Sequence, residues 1–321
     1  TSAPRLDSLA SREGVFLFNN LILTVFALAV LMGTLYPIAL EAFGGARVSV
    51  GTPYFNRVTL PVAFLLLLAM GIGPVTPYRY ARASVVWERI AAPLVISLVA
   101  GAAAVLAGVE SIPVVIIMVL GTFVIASALR EYSKRVGKLD GGRLSAASRV
   151  LRRDPGYWGG QIAHIGVALL AVGIAASSGM ASRDQVRIAV GESAQADDYC
   201  IVYETATARV EPHRRVDGAR FSLRTADCSR EIDVLEPVFN QYARPPAVAT
   251  PAVHTGLTED VFIALAAVPG EDVVVDVFVF PLMWMLWLGG TIAAAGGMWA
   301  VFAKKPKRKV VVRNAEEISS V

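Results

Sequence analysis

The chain has 321 residues, of which 55% are hydrophobic, and its mean hydropathy is +0.55. A soluble domain of this length does not need so much apolar surface, which indicates an integral membrane protein. The net charge of +4 is modest, and we expect no nucleic-acid partner. The first apolar run is too long for a secretory signal and follows a polar stretch, so no signal peptide is predicted.

Six apolar segments are long enough to cross a bilayer as helices. They are residues 15–40, 58–75, 91–108, 112–129, 158–178 and 278–302. The expected fold is an α-helical integral membrane protein of about six transmembrane helices, with an external β-rich domain inserted between the fifth and sixth. The membrane domain would occupy residues 1–178, the β-rich domain 179–277, the last helix 278–303 and a basic cytoplasmic tail 304–321.

Basic residues in the short loops predict the orientation of these spans. They cluster after the second span (Arg79, Arg82, Arg89), after the fourth (eight residues within 130–153) and after the sixth (304–309). With an even number of spans, all three clusters share one side with both termini, and that side is the cytoplasm. We therefore expect a multi-pass protein of the cytoplasmic (inner) membrane, with residues 179–277 extracytoplasmic.

Residues 144–153 have a basic and partly apolar helical character. A segment of this kind between two spans is expected to lie on the inner membrane surface. Two uses are open, a lipid-binding helix or a solvated positive loop.

The insert between the fifth and sixth spans alternates in the manner of β-strands, for example Q-V-R-I-A-V and V-V-V-D-V-F-V-F. Turn-forming groups separate these runs, which predicts a small β-sandwich or β-barrel. The insert contains no G-x-S-x-G, nucleotide loop or H-E-x-x-H pattern. It is therefore expected to be a binding or docking module rather than a hydrolase domain.

The two cysteines, Cys200 and Cys228, both lie in this insert. In an oxidising compartment a pair of cysteines is most simply a structural disulfide. A redox-active or haem-reactive pair is the alternative, although neither C-x-x-C nor C-x-x-C-H occurs in the chain.

The fifth span contains His164, the one histidine within a membrane-length segment. An ionisable side chain in hydrocarbon suggests a functional site. At helical spacing its neighbours are Gly160, Ala168 and Ala171, and such small residues would leave a flat shelf on which a haem could lie beside an axial imidazole. The same small residues could instead allow close helix–helix packing, with His164 as a packed and hydrogen-bonded side chain.

Trp284 and Trp287 lie near the start of the sixth span. Tryptophans at such positions usually anchor a helix at the membrane interface. Their alternative role would be to line a groove for haem or substrate.

A series of short motifs runs along nearly the whole chain in a familiar order. They are S-R-E at 11–13, N-N at 19–20, L-M-G-T-L-Y-P at 31–37, S-V-G-T-P-Y-F-N at 49–56, G-I-G-P at 71–74, A-H-I-G-V-A at 163–168, T-E at 258–259, L-W-L-G-G at 286–290 and G-G at 296–297. In these motifs the chain resembles the C-terminal half of the CcmF family, the haem-lyase membrane subunits of cytochrome c maturation.

The resemblance implies a function for the chain and a role for His164. In the family, the histidine of the A-H-x-G motif is an axial ligand of a b-type haem in the membrane. The implied activity is that of a haem lyase, which takes haem from the haem chaperone CcmE and joins it by thioethers to apocytochrome c, alongside thiol-handling partners. The membrane haem would help to reduce the incoming haem iron. The alternatives are a haem b electron-transfer or quinol-oxidising subunit without ligase activity, and a cofactor-free structural or transport subunit.

Two features indicate that the chain is only part of such an enzyme. The tryptophan-rich external segment that holds the incoming haem in the family is absent from this sequence. A six-coordinate haem between helices also needs two axial ligands, and the chain offers one membrane histidine. We therefore expect the second ligand to come from the N-terminal half of the lyase or from an equivalent chain.

Overall fold

The computed structural model describes residues 12–45, 47–76, 83–140, 142–242 and 247–303. Its helices are α1 (Arg12–Ala42), α2 (Thr52–Ile72), α3 (Ala83–Leu106), α4 (Ile112–Val136), α5 (Arg143–Arg153), α6 (Pro155–Gly179) and α7 (Met283–Phe302), with a 3₁₀ turn at Gly73–Val75. Every helix except α5 is long and apolar enough to span a membrane. The chain is thus a multi-pass membrane protein with six candidate spans, as predicted. The expected basic tail and the basic residues Arg79 and Arg82 lie outside the described residues.

Several helices extend beyond the apolar runs that predicted them. α4 continues to Val136, past the predicted end at residue 129, and carries Lys134 and Arg135 in its last turn. Basic groups at a helix C-terminus interact favourably with the helix dipole, and Arg135 also pairs with Glu131 at 2.7 Å. Hydropathy therefore locates the part of each helix inside the membrane but not the polar turns that continue it.

A proline inside α3 is compensated by an arginine from α4. Pro93 has no backbone N–H, so the carbonyl of Arg89, four residues earlier, receives no helical hydrogen bond. Arg130 donates to that carbonyl at 2.8 Å and to the carbonyl of Glu88 at 2.9 Å. Arg89 in turn donates to the carbonyl of Val75 at 2.9 Å. These bonds join α3 to α4 and to the end of the 3₁₀ turn.

The backbones of α6 and α7 contact each other directly along a row of glycines, which we call the glycine seam. Its members recur every seven residues and thus return to one helix face: Gly159, Gly166 and Gly173 on α6, and Gly289 and Gly296 on α7. A Cβ at Gly173 would lie 2.6 Å from the nitrogen of Leu286, and one at Gly296 would lie 2.5 Å from the nitrogen of Ala163. Only glycine permits this approach, and the two helices pack antiparallel.

The domain between α6 and α7 is built from two antiparallel sheets. Its strands are β1 (Ser182–Ala189), β2 (Ser193–Ala196), β3 (Tyr199–Glu211), β4 (Arg214–Thr225), β5 (Glu231–Leu235), β6 (Val238–Tyr242), β7 (Val248–Thr250), β8 (Ala252–Thr255), β9 (Glu259–Leu265) and β10 (Asp272–Pro281). One sheet has the order β1-β10-β9-β8, and the other has the order β2-β3-β4-β6-β7 with β5 paired to β4. This arrangement confirms a β-rich domain between the fifth and sixth spans.

The core of this domain lies between the two sheets. Alternate residues of β10 are buried, namely Val273, Val275, Val277 and Val279, as period-two strands require. Tyr203 and Phe221 of the other sheet belong to the same core cluster. Their two rings stack on each other, with centroids 5.2 Å apart. The alternating pattern of the sequence therefore corresponds to the buried face.

The last span begins later than the sequence suggested. Residues 278–281 belong to β10, and α7 begins at Met283. The run V-F-V-F continues the strand alternation, and hydropathy alone cannot separate such residues from the start of an apolar helix. Leu282 makes the connection in a left-handed conformation (φ 57°), and its N–H donates to the carbonyl of Thr258 at 2.8 Å. Strand and helix thus join without a linker.

We expect substitution in the glycine seam to destabilise the membrane domain. In Gly166→Leu, the new Cβ would lie 2.6 Å from the carbonyl oxygen of Gly289, so α6 and α7 must separate, at a cost of about 2 kcal/mol or more. Thermal unfolding of the detergent-solubilised chain measures the loss. Gly297→Leu is the control, because a Cβ there meets nothing within 4 Å. An equal loss in both variants would show that the seam has no special role.

We also expect Arg130→Met to destabilise the chain by about 1–2 kcal/mol, because it leaves the carbonyl of Arg89 without a donor. Adding Pro93→Ala to this variant restores a backbone N–H and should recover part of the loss. Lys134→Met, at an exposed position on the same helix, should have little effect. A double variant no more stable than Arg130→Met alone would contradict this explanation.

Candidate functional site

A cavity of about 120 Å³ lies between α1, α2, the 3₁₀ turn and α6. Apolar side chains form most of its wall, and three polar side chains face it: Asn19 of α1, and Gln161 and His164 of α6. Gln161 is 6% exposed. A mostly apolar cavity with a few convergent polar groups is typical of a ligand site.

His164 has an imidazole nitrogen that is buried without a partner. Its Nδ1 atom makes no hydrogen bond to any residue that the structure describes. Buried polar atoms are nearly always satisfied, so an orphaned one calls for an explanation. The alternative of a packed, hydrogen-bonded histidine, which the sequence left open, does not match this geometry.

The small residues near His164 have different surroundings. A Cβ at Gly160 would meet nothing within 4 Å, so the helix face one turn before the histidine is open. Ala168 is 0% exposed and belongs to the core cluster of α2, α4 and α6. Its carbonyl oxygen would lie 3.4 Å from a Cβ atom added at Gly121 of α4. Ala171 packs against the same cluster. Ala168 and Ala171 thus pack within the helix bundle, whereas Gly160 borders open space.

The tryptophans of α7 lie away from this cavity. Trp284 is 36% exposed and Trp287 is 69% exposed, and neither is among the residues that line it. α7 turns its glycine face to α6, which leaves Trp287 on the outer surface of the bundle. In the part of the chain that the structure describes, the tryptophans therefore form no groove with His164.

Asn19 and Gln161 are cavity residues that the sequence analysis did not select for a site. Gln161 is three residues before His164 and therefore shares its helix face, a signal that was available in the sequence. Asn19 offered no such spacing signal, because its place in the cavity depends on how α1 packs against α2 and the 3₁₀ turn. Two amides thus accompany the imidazole.

The described residues offer one suitable haem ligand, His164, and no second ligand opposite it. The orphaned imidazole and the open space at Gly160 suit such a ligand. The cavity is smaller than the roughly 300–1,000 Å³ of a typical ligand pocket, and the other histidines, His213 and His254, are in the β-domain. A cofactor bound at His164 would therefore extend beyond the residues that the structure describes.

Cys200 and Cys228 form a disulfide in the β-domain, with their Cα atoms 5.3 Å apart. The bond joins β3 to the turn that follows β4. Cys200 is fully buried. The pair is thus part of the structure of the domain.

A histidine–carboxylate pair links the two sheets. Nδ1 of His254 on β8 lies 2.8 Å from Oδ2 of Asp233 on β5. This hydrogen bond is the main reason that the pKa of the Asp233 carboxyl is lowered. Burial has the opposite effect on nearby Asp260, whose pKa it raises. Asp233 is therefore the charged partner that ties β5 to β8.

The described residues contain six candidate spans, a β-domain between the fifth and sixth, and a cavity lined by His164 of the fifth span. These features define the class as a multi-pass membrane protein with an inserted β-domain.

No protein-family model matches the chain. The chain is 33% identical over 319 residues to the cytochrome c-type biogenesis protein CcmF of Pseudomonas fluorescens, with 97% of the chain and 46% of the relative covered. It is 30% identical to CcmF of Pseudomonas aeruginosa (97% and 47% covered) and 28% identical to CcmF of Escherichia coli (95% and 46% covered).

The fold matches a solved structure of the same kind. A chain titled cytochrome c heme lyase CcmF aligns with a TM-score of 0.73 at 23% identity, covering 92% of the present chain and 46% of that one. The present chain is therefore a half-length CcmF-like protein. It spans about half the length of the curated relatives that it matches.

The Asp233–His254 pair should make the β-domain sensitive to acid. Since folding lowers the pKa of Asp233, its contribution to stability is present above about pH 4, the ordinary carboxyl range, and is lost as the pH falls below it. Asp233→Asn should therefore lower the unfolding temperature of the detergent-solubilised chain at pH 6 and have less effect at pH 3. Asp198→Asn, at an exposed carboxylate, is the control. The same loss at both pH values would contradict this role.

Proposed function

We propose that this chain is one half of a cytochrome c haem lyase, and that it acts with the N-terminal half of the lyase or with an equivalent chain. The relatives are named cytochrome c-type biogenesis proteins. Because the chain covers less than half of each, we assign it a part of the activity. The lyase would join haem to apocytochrome c through thioether bonds.

His164 is the residue of this chain that would hold a b-type haem in the membrane, as an axial ligand. The observation that carries the proposal is its buried and unpartnered Nδ1 beside a cavity that has room at Gly160. Haem bound there would supply one-electron redox chemistry, which would help to reduce the iron of the incoming haem. The chain itself orients the imidazole, places Asn19 and Gln161 beside it, and surrounds it with apolar side chains.

The glycine seam determines which way this imidazole points. His164 lies roughly 150° around α6 from the seam glycines, at 100° per residue. Since the seam faces α7, His164 must face the opposite side, where α1 and α2 form the cavity. A second axial ligand would then come from the N-terminal half of the lyase or from an equivalent chain.

The orientation of the chain follows from its charges. Lys134 and Arg135 end α4, and four more arginines lie on α5, so this side is the cytoplasm by the positive-inside rule. The β-domain leaves α6 at its opposite end and is extracytoplasmic. Its disulfide agrees with an oxidising compartment. Both termini are cytoplasmic, and the membrane is the inner one.

The partners of the lyase are the haem chaperone CcmE, apocytochrome c and its thiol-handling proteins. The β-domain is the part of this chain that such extracytoplasmic partners could contact. The tryptophan-rich segment that holds incoming haem in the family is missing from this sequence. The N-terminal half of the lyase, or an equivalent chain, would therefore hold the incoming haem.

The proposal predicts that His164→Ala abolishes the b-type haem signal of the complex. The measurement is a reduced-minus-oxidised absorption spectrum of the assembled lyase purified from native membranes. His213→Ala, which removes an exposed histidine of the β-domain, should leave the spectrum unchanged. Unchanged b-type bands in His164→Ala, with normal assembly, would refute the ligand assignment. Co-purification of apocytochrome c separates a lyase from an electron-transfer subunit without ligase activity.

A further inference from the structure

The helix α5 has 11 residues, is too short to cross the membrane, and lies at the level of the membrane surface. It follows α4 and precedes α6, both of which are long enough to cross the bilayer. Its residues Ala146 and Val150 are buried, and α5 contacts both α4 and α6. α5 therefore lies where the membrane domain meets the cytoplasmic surface.

Beyond its buried contacts, α5 keeps an apolar edge that no described residue covers. Leu144 is 89% exposed. At 100° per residue, Leu151 and Ala147 fall on the same side of the helix, and both are half-buried. An apolar edge at this level of the molecule is typical of a helix that lies in the interface plane.

The rest of α5 is strongly basic. Residues 134–153 include seven basic residues and one acidic residue, Asp140. Arg149 is held by hydrogen bonds to the carbonyls of Ser145 and Asp140. Arg143, Arg152 and Arg153 are exposed and form no ion pair among the residues that the structure describes. At 100° per residue, Arg143 and Arg152 flank the apolar edge on its two sides, whereas Arg153 lies on the far side of the helix. Two guanidinium groups are thus available beside the apolar edge.

We infer that α5 is a binding site for anionic phospholipid of the leaflet in which the spans sit. The apolar edge enters the interface between headgroups and acyl chains, Arg143 and Arg152 bind the phosphate groups, and Arg153 adds to the positive charge of the helix. The occupant is a lipid rather than a soluble anion because the arginines border an exposed leucine at membrane level. Guanidinium groups also suit phosphate in geometry as well as in charge.

The test is native mass spectrometry of the full chain in detergent, titrated with phosphatidylglycerol and, separately, with phosphatidylcholine. The variant R143Q/R152Q/R153Q should weaken phosphatidylglycerol binding at least tenfold, since each basic residue near an anionic surface contributes about fivefold. Binding of phosphatidylcholine should not change. The control R183Q/R187Q/R209Q removes the same charge from exposed arginines of the β-domain and should bind as the parent chain does.

A second variant separates a lipid site from attraction between charges alone. Leu144→Gln keeps every charge and should weaken phosphatidylglycerol binding severalfold, because the apolar edge is interrupted. Inorganic phosphate at millimolar concentration should not compete with the lipid. Equal losses in the two arginine variants, no loss in either α5 variant, or full competition by phosphate would each overturn the inference. The haem spectrum is independent of these outcomes, since none of the substituted residues lines the cavity.

Discussion

The direct contact between the backbones of α6 and α7 is the constraint on which the rest of the structure depends. In a bilayer the lipid tails are as apolar as the side chains, so close packing rather than hydrophobic burial holds spans together. The glycines of the seam provide that packing, and they fix the rotation of α6 about its own axis. Because Gly159 and Gly166 face α7, His164 is turned toward α1 and α2. The chemistry proposed for the chain thus depends on residues that have no side chain.

The sequence predicted the spans and the β-domain well because each has its own period and length. It did not predict the seam, since Gly166 and Gly289 are far apart in the chain and their contact is a matter of tertiary packing. The same limitation explains the shelf proposed for haem. Ala168 and Ala171 have the right spacing from His164, but spacing does not reveal that both pack into the cluster formed with α2 and α4. Asn19 lines the cavity because α1 packs against α2 and the 3₁₀ turn.

Two polar groups within the spans differ in whether they have a hydrogen-bond partner. Three spans contain an internal proline, at Pro37, Pro61 and Pro93, and each leaves a carbonyl without its usual donor. For Pro93 the donor is Arg130, which is near the basic side of the membrane, where its charge can be tolerated. His164 differs, since its ring nitrogen has no such partner. The Arg89 carbonyl has a hydrogen-bond donor and is a structural polar group. The Nδ1 atom of His164 has no partner, and His164 is therefore the candidate ligand.

The direct passage from β10 through Leu282 into α7 has a mechanical consequence. A domain joined to a span by a flexible linker can swivel without disturbing the membrane part. Here the strand continues into the helix, its junction is tied to Thr258, and the helix is interlocked with α6. A force on β10 would therefore act directly on α7, which packs against the span that carries His164.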